Sequence, residues 1–214
     1  MKVKEQGLSE DEINARANEK AKKRKEVRDR MLATKTIEKG LLMVHTGKGK
    51  GKSTAAFGLV MRAIGNGFRV GIVQFVKGKW QTGERPVLEA FPDQVTIKAM
   101  GEGFTWDTQD RARDIAAAQA AWAEAKRMIE ACRAQPPAYD MLVFDELNIV
   151  LRYDYLDPAE VVETLRQRPP MLHIVVTGRN AKPELIEAAD LVTEMTEIKH
   201  PFQAGVKAQK GIEF

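Results

Sequence analysis

The run His45-Thr46-Gly47-Lys48-Gly49-Lys50-Gly51-Lys52-Ser53-Thr54 carries the residue types that a polyphosphate needs. Its alternating glycines let the backbone curl until several N–H groups face one point. Lys52 supplies a point charge to the phosphates, and Ser53 a hydroxyl for a bound magnesium. The usual P-loop spacing, G-x-x-x-x-G-K-[ST], has glycine where this chain has Thr46, and the first glycine comes one place late, at Gly47. The alternative is a basic, flexible surface loop. The flanks argue against it: Leu41-Leu42-Met43-Val44 reads as a strand, and Ala55-Ala56-Phe57-Gly58-Leu59-Val60-Met61 as a helix. That is the strand–loop–helix order the motif requires. The helix adds unpaired N–H groups and the positive end of its dipole.

A second candidate set is Val143-Phe144-Asp145-Glu146, an apolar strand ending in two acids. Beside a P-loop, a carboxylate in that place holds magnesium. If the strand runs through both acids, Asp145 and Glu146 point to opposite faces, so one meets the metal while the other braces the loop. Thr177-Gly178-Arg179-Asn180 closes a further strand. Arg179 there either reaches a phosphate or makes a structural ion pair. Residues 100–110 place Phe104 and Trp106 in a glycine-rich stretch before a helix that Asp107 or Thr108 would cap. The two aromatics either tuck beneath their own loop or face a flat apolar ligand or partner.

These residues need a frame. Leu41–His45, Arg69–Phe75, Val95–Ala99, Met141–Phe144, His173–Thr177 and Leu191–Glu194 read as strands, and most are short apolar runs of the kind expected for strands covered on both faces. Between them, Thr54–Ile64, Thr108–Ala134, Pro158–Gln167 and Pro183–Ala188 read as helices. This alternation implies an α/β fold with a parallel sheet and right-handed crossovers. All the candidate groups then fall at the carboxyl ends of strands, where open α/β sheets bind ligands. Ahead of this body, Ser9-Glu10-Asp11-Glu12 is a capping box, and a charged helix follows it. Its apolar positions are sparse, so it either stands in solvent or docks on another surface, such as a second subunit. The expected organisation is residues 1–40 as a charged helical extension, with residues 1–9 disordered, and 41–214 as the P-loop domain. The tail, Gly205 to Phe214, reads as a solvated segment or as a lysine-bearing arm for phosphates.

Composition narrows the classes. The net charge of +4 resides in residues 1–40, which hold 12 Lys/Arg against 8 Asp/Glu, while residues 41–214 hold 22 of each sign. A neutral body lacks the basic excess of a nucleic-acid binder. No apolar run approaches the roughly 20 residues that cross a bilayer, and the charged N-terminus lacks a secretory signal. The single cysteine, Cys132, reads as a small buried residue and suits a reducing cytoplasm. The three histidines, His45, His173 and His200, share no ligand spacing.

Taken together, Thr46 to Gly58, Val73-Gln74-Phe75-Val76-Lys77-Gly78, Gly83-Glu84-Arg85, Gly103-Phe104-Thr105-Trp106, Asp145-Glu146-Leu147, Tyr153-Asp154-Tyr155-Leu156, Thr177-Gly178-Arg179 and the Gly205–Phe214 tail resemble the P-loop corrinoid adenosyltransferases. The shifted first glycine is the form of that family; Ser53 replaces its commoner threonine. The resemblance implies a P-loop NTPase fold with a RecA-like, six-stranded, mostly parallel sheet, and a homodimer. It implies transfer of the 5′-deoxyadenosyl group of ATP to the cobalt(I) of a reduced corrinoid, with triphosphate leaving and a flavoprotein supplying electrons. It assigns ATP to Thr46, Gly47, Lys48, Gly49, Lys50, Gly51, Lys52, Ser53 and Thr54, with Arg62 and Arg179 near the nucleotide. Magnesium or manganese falls to Ser53, Asp145 and Glu146. Phe104 and Trp106 pack on the lower face of the corrin ring and join Lys52 as the residues that make the reaction possible. The N-terminal helix closes over an active site, that of the partner subunit. Residue chemistry alone leaves three other readings open: a recombinase- or helicase-like ATPase, a small-molecule kinase, and a nucleotide-dependent interaction protein.

Overall fold

The computed structural model describes residues 8–76, 82–100 and 110–213. Six strands form one sheet: β1 (Leu42–Thr46), β2 (Val70–Gln74), β3 (Val95–Ala99), β4 (Met141–Asp145), β5 (His173–Thr177) and β6 (Leu191–Glu194). Their order is β3-β2-β4-β5-β1-β6, and every pairing is parallel. All six strands of the sequence reading are present, and the sheet is parallel throughout.

The inner strands β1, β2, β4 and β5 are apolar on both faces because helices cover both, whereas β6 is exposed at every residue. Side chains alternate along a strand, and the core divides accordingly. Leu42, Val44, Leu142, Phe144, Ile174 and Val176 belong to one cluster with Trp122, Met128, Val150 and Leu165. Met43, Val143, Val175 and Ile72 belong to the other, with Ala56, Phe57, Val60 and Ile64. The helices behind these clusters are α2 (Lys52–Gly65), α3 (Glu84–Glu89), α4 (Arg111–Ala131), α5 (Leu147–Arg152), α6 (Pro158–Arg166) and α7 (Pro183–Ala188). Three of them, α3, α5 and α7, have six residues each, too few to show a helical period in sequence; only α7, which opens on Pro183, is among the helices of the sequence reading. Cys132 is buried, its Sγ donating to the Met128 carbonyl at 3.1 Å.

Two local expectations change. The cap of α4 is Asp110, whose side chain accepts from the Arg113 N–H; Asp107 and Thr108 lie outside the described residues. The strand does not continue through both acids: β4 ends at Asp145, and Glu146 turns into the left-handed region at φ 63°. Ahead of the tail, Pro201–Ala204 forms a 3₁₀ turn that His200 caps.

The chain divides into two compact units, Met1–Glu38 and Lys39–Phe214. The first contains α1 (Glu10–Ala33), which begins with the capping box of Ser9 and Glu12 and buries none of its residues. Residues 1–7, within the segment read as disordered, lie outside the described residues. In the second unit, sheet order sets β4, β5 and β1 side by side, so their carboxyl ends meet at one edge.

Candidate active site

The loop after β1 rises from a buried strand end. His45 and Thr46 are 5% and 6% exposed, and the His45 ring contacts the Lys52 carbonyl at 3.2 Å. Gly47 and Gly51 adopt φ 95° and 102°, the left-handed region that a side chain resists. Gly47 has a second reason to be glycine: a Cβ there would collide with the Met195 backbone. The loop then enters α2 directly at Lys52, two residues earlier than the sequence suggested, with Gly51 as cap. Lys52 and Ser53 therefore occupy the first turn of a 14-residue helix, where unpaired N–H groups and the helix dipole favour anions.

The inner side of the loop is tied together by Asp145. Its Oδ1 accepts from Ser53 Oγ and from Thr177 Oγ1, both at 2.7 Å, and its Oδ2 from Gln74 Nε2 at 3.4 Å. Thr177 Oγ1 accepts in turn from the Glu146 N–H at 3.0 Å. Behind them Asn148, fully buried, donates to the Gly178 carbonyl at 3.0 Å and the His45 carbonyl at 3.4 Å. This amide thus stitches the end of β1 to the end of β5.

Charge is arranged around this network. Lys52 is only 7% exposed, and its ammonium donates to the Gly49 carbonyl of its own loop. Burial pulls it below the ordinary lysine range; Glu146 opposes that shift, while Arg179 and Lys50 add to it. Burial, and next the Asp145 carboxylate, push Glu146 up to about 7, against the pull of Lys52 and Arg179. Glu146 Oε2 is buried, and no described residue hydrogen-bonds it. A buried carboxylate oxygen without a donor is costly and fits a cation site. Among the described residues no group of three His, Cys, Asp or Glu side chains could hold a metal alone. A cation shared with substrate phosphates would need only one or two carboxylates from the protein.

The structure thus gathers Thr46, Gly47, Gly49, Gly51, Lys52, Ser53, Asp145 and Glu146 at one edge. Arg179 is exposed after β5, near enough for its charge to act on both Lys52 and Glu146. Lys48 and Lys50 are exposed on the loop, and Thr54 is exposed on the first turn of α2. Arg62 stands apart on the last turn of that helix; ten residues of helical rise put it about 15 Å along the axis from Lys52. Phe104 and Trp106 lie outside the described residues. Sequence reasoning missed Thr177 as the second hydroxyl on Asp145, and Asn148. The signal for Asn148 was a lone amide in the apolar run Leu147-Asn148-Ile149-Val150-Leu151.

Comparison with known proteins addresses the second substrate. Residues 38–214 match the family described as ATP:corrinoid adenosyltransferase BtuR/CobO/CobP. A corrinoid adenosyltransferase of Sinorhizobium sp. is 55% identical over 203 residues, 94% of this chain and 92% of the relative. One from Pseudomonas aeruginosa is 50% identical, covering 95% and 98%. The corrinoid adenosyltransferase CobA of Salmonella typhimurium is 44% identical, covering 93% and 98%. Domain III of the Thermotoga maritima replication initiation protein DnaA aligns with a TM-score of 0.35 at 11% identity, over 72% of this chain and 53% of that one, and bears no weight. The family match spans the whole α/β unit, and relatives align along nearly their full length: this chain belongs to the ATP:corrinoid adenosyltransferase family.

Proposed function

We infer that this protein makes the cobalt–carbon bond of adenosylated corrinoids at the loop edge just described. Its family transfers the 5′-deoxyadenosyl group of ATP to a corrinoid, in adenosylcobalamin synthesis. The observation that carries the assignment of this site is the Asp145–Ser53 contact at the foot of a lysine-bearing phosphate loop.

In the reaction, cobalt(I) donates an electron pair to C5′ of ATP, and the C5′–O bond breaks. That electron pair leaves on the triphosphate oxygen. Reduced cobalt is already a strong nucleophile, so the protein needs no general base. Its work is to aim C5′ and to receive the charge of the leaving group. Lys52, Lys50 and the loop N–H groups face that charge, and Thr46, Lys48, Thr54 and Arg179 complete the grip. Magnesium or manganese, held by Ser53, Asp145 and Glu146, would neutralise further phosphate charge. Arg62, on the last turn of α2, is assigned to the nucleotide outside the phosphate grip. The wall of the corrinoid pocket is assigned to Phe104 and Trp106, which keep an axial ligand off cobalt(II) and so ease its reduction. Trp106→Ala should then slow the reaction started from cobalt(II) at least about tenfold more than the one started from cobalt(I). Equal losses would remove that role.

Among the described residues no helix is long and apolar enough to cross a membrane. The cytoplasm, with its reduced thiols, is the compartment this proposal assigns to the reaction. A homodimer and a flavoprotein electron donor complete it. The deciding experiment supplies ATP, magnesium and chemically reduced cobalamin without oxygen. Triphosphate and a new organocobalt spectrum are expected; ADP as the product would sink the reading. Replacing the chemical reductant by a reduced flavoprotein tests the electron source, and sedimentation tests the dimer.

A further inference from the structure

The outer rim of the phosphate loop is built by residues that the mechanism leaves unused. After β6 the chain passes along the loop and makes backbone contact with it. The Gly49 N–H, one of the donors a phosphate would seek, instead donates to the Met195 carbonyl at 2.7 Å. A Cβ on Gly49 would meet the Thr196 and Met195 carbonyl oxygens at 2.7 and 2.8 Å. Further on, the tail returns to the same loop, where Glu213 forms an ion pair with Lys50. The two partners are unequally exposed: the Lys50 side chain is 55% exposed and that of Glu213 17%. A turn holds the acid in place, with the N–H groups of Ile212 and Glu213 both donating to the Gln209 carbonyl. Residues 205–212 around it are exposed throughout, so the segment can move at low cost.

A carboxylate on a phosphate-loop lysine competes with phosphate for the same cation. We propose that Glu213 is an internal counter-anion: it holds Lys50 when no triphosphate is bound, yields it when triphosphate arrives, and takes it back as triphosphate leaves. The proposal rests on the reading that this loop grips the triphosphate of ATP. Its use lies at the end of the cycle. The leaving group keeps all the negative charge the loop was built to hold and loses only the nucleoside, so release of product is the step most in need of help. A tethered acid acts at high effective concentration. Its single contact on a half-exposed lysine is weak enough for ATP to displace.

Binding of inorganic tripolyphosphate with magnesium tests this by calorimetry. Glu213→Gln should tighten tripolyphosphate about two- to fivefold. In a Lys50→Ala background the same substitution should change nothing, because the contested cation is gone. Unchanged or weaker binding by Glu213→Gln, or an equal gain in both backgrounds, overturns the proposal. An acid that merely held the tail down would lower Tm without tightening tripolyphosphate. The wild-type chain gives a second readout: amide exchange over 205–213 should quicken at saturating tripolyphosphate, and unchanged or slower exchange overturns the idea. Should the wild-type chain fail to bind tripolyphosphate at all, both this inference and the site assignment fall. Should it bind without any effect of Glu213, only the inference does.

Discussion

The phosphate loop has two walls of opposite character. The inner wall, from the ends of β4 and β5 and the start of α5, is buried: Asp145 is 5% exposed, and Thr177 and Asn148 are 0%. Asp145 places Ser53 and Thr177, and Asn148 places the strand ends. The outer wall, from β6 onward, is exposed at every strand residue. It touches the loop through backbone contacts and one ion pair. The difference teaches where rigidity is needed. Charge stabilisation works best with dipoles fixed in advance, and the inner wall provides them. Entry and exit of a charged ligand need a boundary that gives way, and the outer wall is built of contacts that can.

The sharpest way to break this contrast is Lys52→Ala. A buried donor aimed at leaving-group charge is worth roughly 3 kcal/mol, about a hundredfold, so adenosyl transfer from pre-reduced cobalamin should fall by at least that factor. A near-wild-type rate would mean the loop only binds ATP. A pair of glycine substitutions compares the walls directly. A Cβ added at Gly178, where φ is 125°, would meet the Asn148 Cβ at 2.9 Å and Glu146 Oε2 at 3.0 Å, whereas one added at Gly205, where φ is 74°, would find open space. Gly178→Ala should cost about 2–4 kcal/mol in urea unfolding. Gly205→Ala should cost about 1 kcal/mol, the left-handed backbone penalty alone. Equal losses would erase the distinction.

The smallest effect sharpens the electrostatics. Glu146 has its carboxyl raised from 4.5 to about 7, so between those values the folded chain holds a proton that the unfolded chain has released. Stability must therefore fall as pH rises through that window. Glu146→Gln should remove the slope, leaving the nucleotide-free variant more stable than wild type by on the order of 1–3 kcal/mol at pH 8 and equal to it near pH 4. Parallel melting curves at both pH values would show that the inner wall carries no such strain.

Much of the body was legible because its strands are buried on both faces and so read as unbroken apolar runs, as Leu42–Val44 and Ile174–Val176 do. Lys52 and Ser53 were legible from local spacing. Less so were features that depend on distant partners. Nothing near Thr177 reveals that its hydroxyl will find Asp145, and Met195 is an ordinary residue until the loop folds against its carbonyl. The opposed facing of Asp145 and Glu146 failed because Glu146 leaves the strand, a backbone choice that strand alternation cannot foresee. The cap of α4 went to Asp110 because a chain can begin a helix at any suitable acid, and several stood in line.

The start of the body has its own fastening. Asp190 pairs with Lys39 and Arg168 and accepts from the Leu42 N–H, while the Gly40 N–H donates to the Pro170 carbonyl at 2.7 Å. This knot sits one residue past the point where the family match begins, at 38. In the leading unit, helix α1 buries none of its residues. The entry to β1, by contrast, is clamped from two directions, by the residue just before β6 and by the segment ahead of β5, so the strand that carries the phosphate loop departs from a fixed point.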